Sequence, residues 1–325
     1  MGYFLAIDAG GTKTRCALAD ERRVLAEAQC GSVKLMRVGE AEATTRLAGV
    51  MAEVSARAGV GLHSVAGTCV GLAGLSIAAV RSWAQRTIGA LVGGEVLLCG
   101  DEEIALDAAF RGGPGVLVVA GTGSNVVGRS AAGETVRAGG WGSAVGDEGS
   151  GHWIGVEAVR RGLWARDRGI RSELLAAVQR YWALEDLAEL VAYVNRRPGP
   201  EFSELVPVVM RAADAGDPVA GEVLREAGRE LGRQVLVAAE KSGARRVACA
   251  GSVLEHVAPV RRAMVDALRE SSPGIEVLPG PVDAIDGALW RARRMGVAGN
   301  STVVPVSVDL PIEGVPAAYT PLPPM

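Results

Sequence analysis

The sequence predicts an α/β protein made of two related domains, and three observations support this. The chain has 325 residues, which is long for one domain and sufficient for two. Short apolar segments typical of strands alternate with segments of helical periodicity. A unit of apolar strand, Gly/Thr turn and returning strand occurs at 5–12 and again at 117–122, which indicates an internal repeat.

Strands and helices alternate in the first half of the chain. Runs of β-forming residues predict strands at 3–8, 13–19, 23–29, 65–71 and 95–99. Four apolar residues at helical spacing predict a helix over 40–59, which ends at a glycine. A second helix is predicted over about 76–91, and the strand at 95–99 leads directly to an acidic residue.

The second half begins with the repeated unit and then becomes mostly helical. Strands are predicted at 115–120, 125–129 and 245–250. Helices are expected through most of 147–243, with breaks at the prolines near 198–200 and 217–218. We therefore expect a first domain at 1–112, to which a helix at about 284–299 returns, a second domain at 113–283, and a Pro-rich tail at 300–325.

Composition and charge exclude several classes of function. Hydrophobic residues make up 49% and charged residues 22%, which is enough to bury a sizeable core. The net charge is −3 with no Lys/Arg-rich block, so neither nucleic acid nor a membrane is expected as a partner. With neither a signal peptide nor an apolar run of about 18–20 residues, a cytoplasmic protein is expected. The five cysteines are scattered, which favours neither metal ligation nor disulfides.

The turn after the first strand is a candidate phosphate-binding site. Adjacent glycines let the backbone approach a ligand, and successive N–H groups form an anion nest. Asp8, at the end of the strand, suits Mg²⁺ held through water. An ordinary hairpin explains the same residues, and the P-loop pattern is absent. The candidate phosphate ligands are Gly10, Gly11, Thr12 and Lys13, with a further hydroxyl from Thr14.

A similar turn follows the strand at 115–120. It offers the same nest and two hydroxyls, from Gly121, Thr122, Gly123 and Ser124. Either turn alone is equally typical of a plain hairpin. Two such turns, each after an apolar strand, predict a double phosphate clamp.

Residues 139–151 form a glycine-dense loop that contains a tryptophan and two acids. Ordering so many glycines is entropically costly, so a functional role is favoured over a structural one. A Trp face and a carboxylate can hold a sugar ring, which makes Gly140, Trp141, Gly142 and Asp147 the candidate sugar-binding residues. The alternative is a mobile surface loop whose acids favour the start of the next helix.

Two further strand ends carry candidate residues. Asp101 follows a buried strand and could accept a proton from an attacking hydroxyl, although acids often occupy this position as helix caps. Gly251 and Ser252 join the strand at 245–250 to a helix. They could accept a flat base against the backbone, although tight strand-to-helix turns have the same sequence.

In this order, the motifs resemble the actin/hexokinase/heat-shock ATPase superfamily. They are most similar to the N-acetylglucosamine kinases, which belong with the benzoyl-CoA-reductase-activator type of ATPase. The similarity is carried by residues 8–13, 121–125 and 139–150, of which the third is the most specific. It implies a duplicated actin-like (ribonuclease H-like) fold whose two lobes close over ATP, Mg²⁺ and a sugar. The implied reaction converts N-acetylglucosamine to its 6-phosphate.

The resemblance also implies a role for each candidate residue. Thr12 and Thr122 would contact phosphates, and Gly251 and Ser252 would line the adenosine side. Asp101 would be the general base. The 139–151 loop would hold the sugar through Gly140, Trp141, Gly142 and Asp147. Relatives of this kind also suggest that the chain could form a homodimer.

One departure from the family leaves the substrate open. The stretch at 31–37 lacks the Asn that contacts the amino sugar in these kinases, and Lys34 there would suit an acidic sugar. Kinases of glucosamine or N-acetylmuramic acid are therefore alternatives. An activator-type ATPase without a sugar substrate would need paired cysteines at a dimer interface, whereas Cys99 and Cys249 fall on predicted buried strands.

Overall fold

The computed structural model describes residues 2–295, and these contain two five-stranded sheets. The first sheet forms lobe I and consists of β1 (Tyr3–Ala9), β2 (Lys13–Ala19), β3 (Val24–Gly31), β4 (Val65–Leu72) and β5 (Glu95–Cys99). The second forms lobe II and consists of β6 (Gly115–Ala120), β7 (Ser124–Arg129), β8 (Thr135–Ala138), β9 (Arg246–Ala250) and β10 (Glu276–Pro281).

The two sheets have the same topology. Lobe I has the order β3-β2-β1-β4-β5, and lobe II has the order β8-β7-β6-β9-β10. In each sheet the first three strands pair antiparallel and the other two extend the sheet in parallel. This correspondence shows that the repeated strand-turn-strand unit marks a duplicated fold.

Twelve helices surround the sheets in the described part of the chain. The first six are α1 (Leu35–Val38), α2 (Glu40–Ala58), α3 (Ala78–Gly89), α4 (Asp101–Phe110), α5 (Gly151–Asp167) and α6 (Leu174–Tyr181). The others are α7 (Leu187–Asn195), α8 (Val206–Asp214), α9 (Pro218–Ser242), α10 (Ser252–His256), α11 (Ala258–Ser271) and α12 (Ala284–Met295). Short 3₁₀ turns occur at Leu62–Ser64 and Phe202–Leu205.

Helix α2 shows how the sequence pattern becomes packing. Its apolar residues at helical spacing form a buried stripe against the lobe I sheet. The helix ends where Gly59 adopts a left-handed φ of 66°, as the predicted glycine stop requires. The predicted helix over 40–59 is therefore confirmed.

Helix α12 packs against α4 and against strands of lobe I, although it follows the last strand of lobe II. The closest approach is at Gly287, where a Cβ atom would lie 1.8 Å from the carbonyl oxygen of Ile104. The chain thus passes between the sheets twice, at 110–115 and at 281–284. The exact domain boundaries stay a prediction.

The sequence missed two strands, β8 and β10. Strand β8 is only four residues long, and β10 contains a glycine and two prolines, which ordinarily argue against a strand. Both are edge strands, where pairing on one side alone tolerates such residues. The predicted tail at 300–325 and the last turn of the final helix lie outside the described residues. No described helix combines the length and the apolar character that crossing a membrane requires.

Candidate active site

A cleft of about 520 Å³ is lined by residues from both lobes, at the ends of β1, β6 and β9 and the start of α4. It brings together half of the residues predicted for the site: Asp8, Thr12, Lys13, Asp101, Gly121, Thr122, Gly251 and Ser252. A larger groove of about 880 Å³, on the surface of α5, contains none of the predicted residues. The cleft is therefore the candidate active site.

Asp8 lies on β1 at the floor of this cleft, opposite Arg15 of β2. Burial and the neighbouring charge of Asp101 together raise its pKa to about 6, with the opposing effect of Arg15 included. Arg15 is held in turn by Asp283, whose two carboxylate oxygens accept hydrogen bonds of 2.7 and 3.0 Å. Asp8 is thus a carboxylate that is costly to keep ionised without a further cation nearby.

The second turn connects three of the predicted motifs. A Cβ on Gly121 would lie 3.8 Å from the hydroxyl of Ser252, so the two motifs face each other across a narrow gap. The carbonyl oxygens of Gly121 and Thr122 accept hydrogen bonds from the backbone at the start of α5, at 2.7 and 3.1 Å. The turn is therefore fixed to the end of the 139–151 loop and lies beside Ser252.

The 139–151 loop is closed on itself by Asp147. One carboxylate oxygen of Asp147 accepts the N–H of Gly142 at 3.0 Å, and its backbone has a left-handed φ of 60°. Burial raises the pKa of Asp147, and the charges of His152 and Lys34 oppose that rise. Trp141 projects from the loop with 71% of its surface exposed, a large apolar face available to a ligand.

Asp101 is the first residue of α4, where the helix dipole favours a negative charge. Within residues 2–295 its carboxylate has no hydrogen bond to another side chain. Burial raises its pKa, and the positive charges of Arg137 and Lys34 lower it. This carboxylate is available to a substrate.

Two predicted hydroxyls are buried and do not face the cleft. Ser124 donates its hydroxyl hydrogen bond to the carbonyl oxygen of Glu148 at 2.9 Å and is buried, so the hydroxyl holds the loop and not a phosphate. Thr14 is fully buried beneath the sheet, on the opposite face of β2 from Lys13 and Arg15. The alternation of side chains along a strand could have revealed this.

The remaining predicted residues lie outside the lining of the cleft. Gly10 and Gly11 form the tip of the first hairpin, and Gly123 lies against Asp147. Gly140, Trp141, Gly142 and Asp147 belong to the adjoining loop. The charge of Lys34 acts on both the cleft and the adjoining loop, because it lowers the pKa of Asp101 and of Asp147.

The sequence missed several residues that line the cleft, among them Arg15, Glu102, Asn125, His256 and Asp283. Arg15 could have been found from its position two residues after Lys13 on the same face of a strand. Nothing in the sequence pointed to Asp283, which reaches the cleft through a contact with a residue 268 positions away. No group of three or more metal-ligating side chains occurs in the described part of the chain.

The cysteines do not form a surface site. Cys16, Cys69, Cys99 and Cys249 are buried, and Cys30 is partly so. Cys69 and Cys99 lie on adjacent strands with their sulfur atoms 3.8 Å apart, beneath the protein surface. These thiols are therefore out of reach of a cluster at the protein surface.

Comparison with known proteins agrees with the resemblance found in the sequence. The chain is 29% identical to an N-acetylmuramic acid/N-acetylglucosamine kinase from Clostridium acetobutylicum, over 90% of this chain and 99% of that protein. It is 26% identical to a glucosamine kinase from Vibrio cholerae, over 90% and 97%. A crystal structure of a proposed N-acetylglucosamine kinase from Chromobacterium violaceum superposes with a TM-score of 0.71 at 28% identity, covering 89% of this chain and 98% of that one.

These similarities confirm the predicted two-lobed actin-like fold and the predicted group of ATPases. The model of one family matches residues 5–290, which is most of the chain and includes both turns, the glycine loop and Asp101. The protein therefore belongs to the BadF/BadG/BcrA/BcrD ATPase family.

Proposed function

We propose that the protein transfers the γ-phosphoryl group of ATP to an amino sugar, with the 6-hydroxyl of N-acetylglucosamine as the acceptor. One observation supports this above all: Asp101, a carboxylate with no side-chain partner among residues 2–295, shares a cleft with two Gly/Thr turns. A proton acceptor next to phosphate-binding turns suits transfer to a hydroxyl. The amino sugar kinases among the relatives support the same activity.

In this proposal the two turns hold the nucleotide from opposite lobes. The hydroxyls of Thr12 and Thr122 would contact phosphate oxygens, and the N–H groups of Gly10, Gly11 and Gly123 would form the nests. The N–H of Gly121 instead donates to the carbonyl oxygen of Gly123 at 2.9 Å, so Gly121 would shape the second turn. Lys13 adds a positive charge at the rim. Gly251 and Ser252 face the second turn and would line the adenosine side. Donors fixed in this way stabilise charge on the transferring group without having to reorient.

Asp8 fits a magnesium ion held through water. Its carboxylate is partly buried and its pKa is raised to about 6, partly by the charge of Asp101, and a cation beside it would favour the ionised form. Magnesium commonly uses one or two carboxylates together with phosphates and water, so a larger ligand cluster is not required. When bound, the ion would neutralise charge on the phosphates.

The adjoining loop would hold the acceptor. Trp141 offers an apolar face to the sugar ring, and Asp147 offers a carboxylate oxygen to its hydroxyls. Asp101 would then take the proton of the acceptor hydroxyl while the hydroxyl oxygen bonds to the γ-phosphorus. The bond from that phosphorus to the bridging oxygen breaks, and ADP leaves.

A second candidate acceptor is an acidic amino sugar such as N-acetylmuramic acid. The observation that favours it is Lys34, which is exposed, lies in the stretch 31–37 that lacks the family Asn, and acts electrostatically on both Asp101 and Asp147. An ammonium group at this position could pair with a substrate carboxylate. A relative that carries N-acetylmuramic acid in its name supports the same possibility.

An activator-type ATPase is not favoured. Such a protein would need paired cysteines at a subunit interface, whereas four of the five cysteines are buried. The fifth, Cys30, is partly buried and has no cysteine neighbour on the surface among the described residues.

Coupled ADP release tests the proposal. Mg-ATP is supplied with N-acetylglucosamine, glucosamine, N-acetylmuramic acid, N-acetylmannosamine, glucose or no sugar. Turnover confined to one or two amino sugars is expected, and ATP hydrolysis indifferent to every sugar would refute a sugar kinase. Lys34→Ala is measured on the same panel, and an unchanged ratio between acidic and neutral sugars would exclude Lys34 from acceptor recognition.

A further inference from the structure

The first turn of α4 carries three consecutive acids that have different partners. Glu103 caps the helix by accepting the N–H of Gly100 at 3.0 Å, and its other oxygen pairs with Arg291 of α12 at 3.3 Å. This acid therefore ties the helix to lobe I. Asp101, by contrast, has no side-chain partner in the described chain and lines the cleft.

Glu102 is the acid that faces the other lobe. Its carboxylate forms an ion pair with the guanidinium of Arg137, which lies on β8 of lobe II. Arg137 comes just before the glycine loop that contains Trp141 and Asp147. This ion pair thus joins the helix of the proposed base to the strand that leads into the proposed sugar-binding loop.

We infer that the Arg137–Glu102 ion pair is a latch between the lobes, which holds the first turn of α4 and aims the carboxylate of Asp101 at the acceptor. Arg137 is then a positioning residue. The inference rests on the proposed function for its effect on turnover, whereas the contact between the lobes does not depend on it. The positive charge of Arg137 also helps to keep Asp101 ionised, against the effect of burial.

The exposure of the pair separates this role from a structural one. The side chain of Arg137 is 47% exposed and that of Glu102 is 14% exposed. An ion pair in which one side chain is about half exposed contributes little to the free energy of unfolding. The placement of a reacting group, by contrast, strongly affects the rate, since an error of about 1 Å can lower it roughly 100-fold. Loss of the latch should therefore reduce turnover without unfolding the protein.

The test uses Arg137→Gln, Glu102→Gln and the double variant in the full chain. Arg86→Gln is the matched control, because Arg86 pairs with Glu40 at 3.2 Å between two helices of the same lobe. Steady-state kinetics with Mg-ATP and N-acetylglucosamine give kcat and KM, and thermal unfolding gives Tm. Small-angle scattering of the ligand-free proteins gives the radius of gyration.

Each latch variant is expected to lower kcat about 10- to 100-fold, with KM for ATP within about twofold and Tm unchanged. The double variant should be no slower than either single one, because both remove the same contact. The radius of gyration of Arg137→Gln should exceed those of the wild type and of Arg86→Gln.

The positioning role would be overturned if Arg137→Gln and Glu102→Gln kept the wild-type kcat. It would also be overturned if the kcat of the double variant fell by the product of the two single losses. An unchanged radius of gyration would overturn the latch itself. A wild-type protein without sugar-dependent ADP release would instead contradict the proposed function, and scattering would still test the latch.

Discussion

Replacing Asp8 by Asn should make the ligand-free protein more stable at pH 8. Burial and the charge of Asp101 raise the pKa of Asp8 from an ordinary 3.8 to about 6, with the opposing effect of Arg15 included. At roughly 1.4 kcal/mol for each pKa unit, holding the ionised form in the folded protein costs about 3 kcal/mol. Asn has nearly the same shape and no charge, so this cost should disappear.

The sign of the pH dependence follows from the direction of the shift. A carboxyl group whose pKa is raised by folding is neutral in both states below about pH 4, so the cost is absent there. The cost grows as the pH rises through 4 to 6 and is fully present above. The stability advantage of Asp8→Asn should therefore be small at pH 4 and largest at pH 7–8.

Thermal unfolding followed by circular dichroism measures this effect. With roughly 2.1 cal/mol/K of unfolding entropy per residue, about 3 kcal/mol corresponds to a rise in Tm of about 4 °C for 325 residues. Mg-ATP should reduce the difference in Tm between Asp8→Asn and the wild type, or reverse its sign, because the variant binds the ligand less well.

Asp20→Asn is the matched control with the opposite sign. The N–H groups of Arg22 and Arg23 bond to the Asp20 carboxylate and lower its pKa, so this variant should be less stable than the wild type at neutral pH. If Asp8→Asn were no more stable than the wild type at pH 8, or if its advantage were equal at pH 4 and pH 8, the account of Asp8 as a costly buried charge would be refuted.

Three further substitutions test the site and the fold. Asp101→Asn should lower kcat by about 10²- to 10⁴-fold in the coupled assay, with ATP affinity nearly unchanged in calorimetry, and a variant that keeps most of its kcat would show that Asp101 is not the base. Trp141→Ala should raise KM for the sugar about 10-fold at constant Tm, since the side chain is 71% exposed, whereas an equal loss of ATP affinity would indicate a structural role. Gly287→Ala should lower the free energy of unfolding by about 3 kcal/mol in denaturant titrations, because its Cβ would lie 1.8 Å from a backbone oxygen of α4. Gly49→Ala, in an open position of α2, is its control and should be neutral or stabilising; equal effects at both glycines would contradict the close contact.

Local sequence patterns were sufficient to predict most of the elements and the outline of the site. Apolar runs ending in Gly/Thr turns predicted β1, β2, β6 and β7, since strand propensity and turn chemistry act over a few residues. The acid after β5 was predicted to be functional, and Asp101 does line the cleft. Its catalytic role stays a prediction.

Edge strands and side-chain partners could not be predicted in this way. Strands β8 and β10 exist because neighbouring strands pair with them, despite weak local propensity. The hydroxyl of Ser124 donates to the backbone carbonyl oxygen of Glu148, although its motif predicted a phosphate ligand. Which partner a polar group finds depends on what the fold brings near, and the motif does not contain that information.

The sequence by itself determined that this chain forms two similar α/β units, each with a glycine turn after an apolar strand, because periodicity and turn residues are properties of short segments. Only the tertiary structure decided that Arg15 meets Asp283, that Glu102 meets Arg137, and that the charge of Lys34 acts on both proposed functional carboxylates. These interactions join residues far apart in the chain, and they arise when the two sheets and α12 pack together. The physical reason is that local propensity acts within a few residues, whereas the charge environment of the cleft depends on the whole packed molecule.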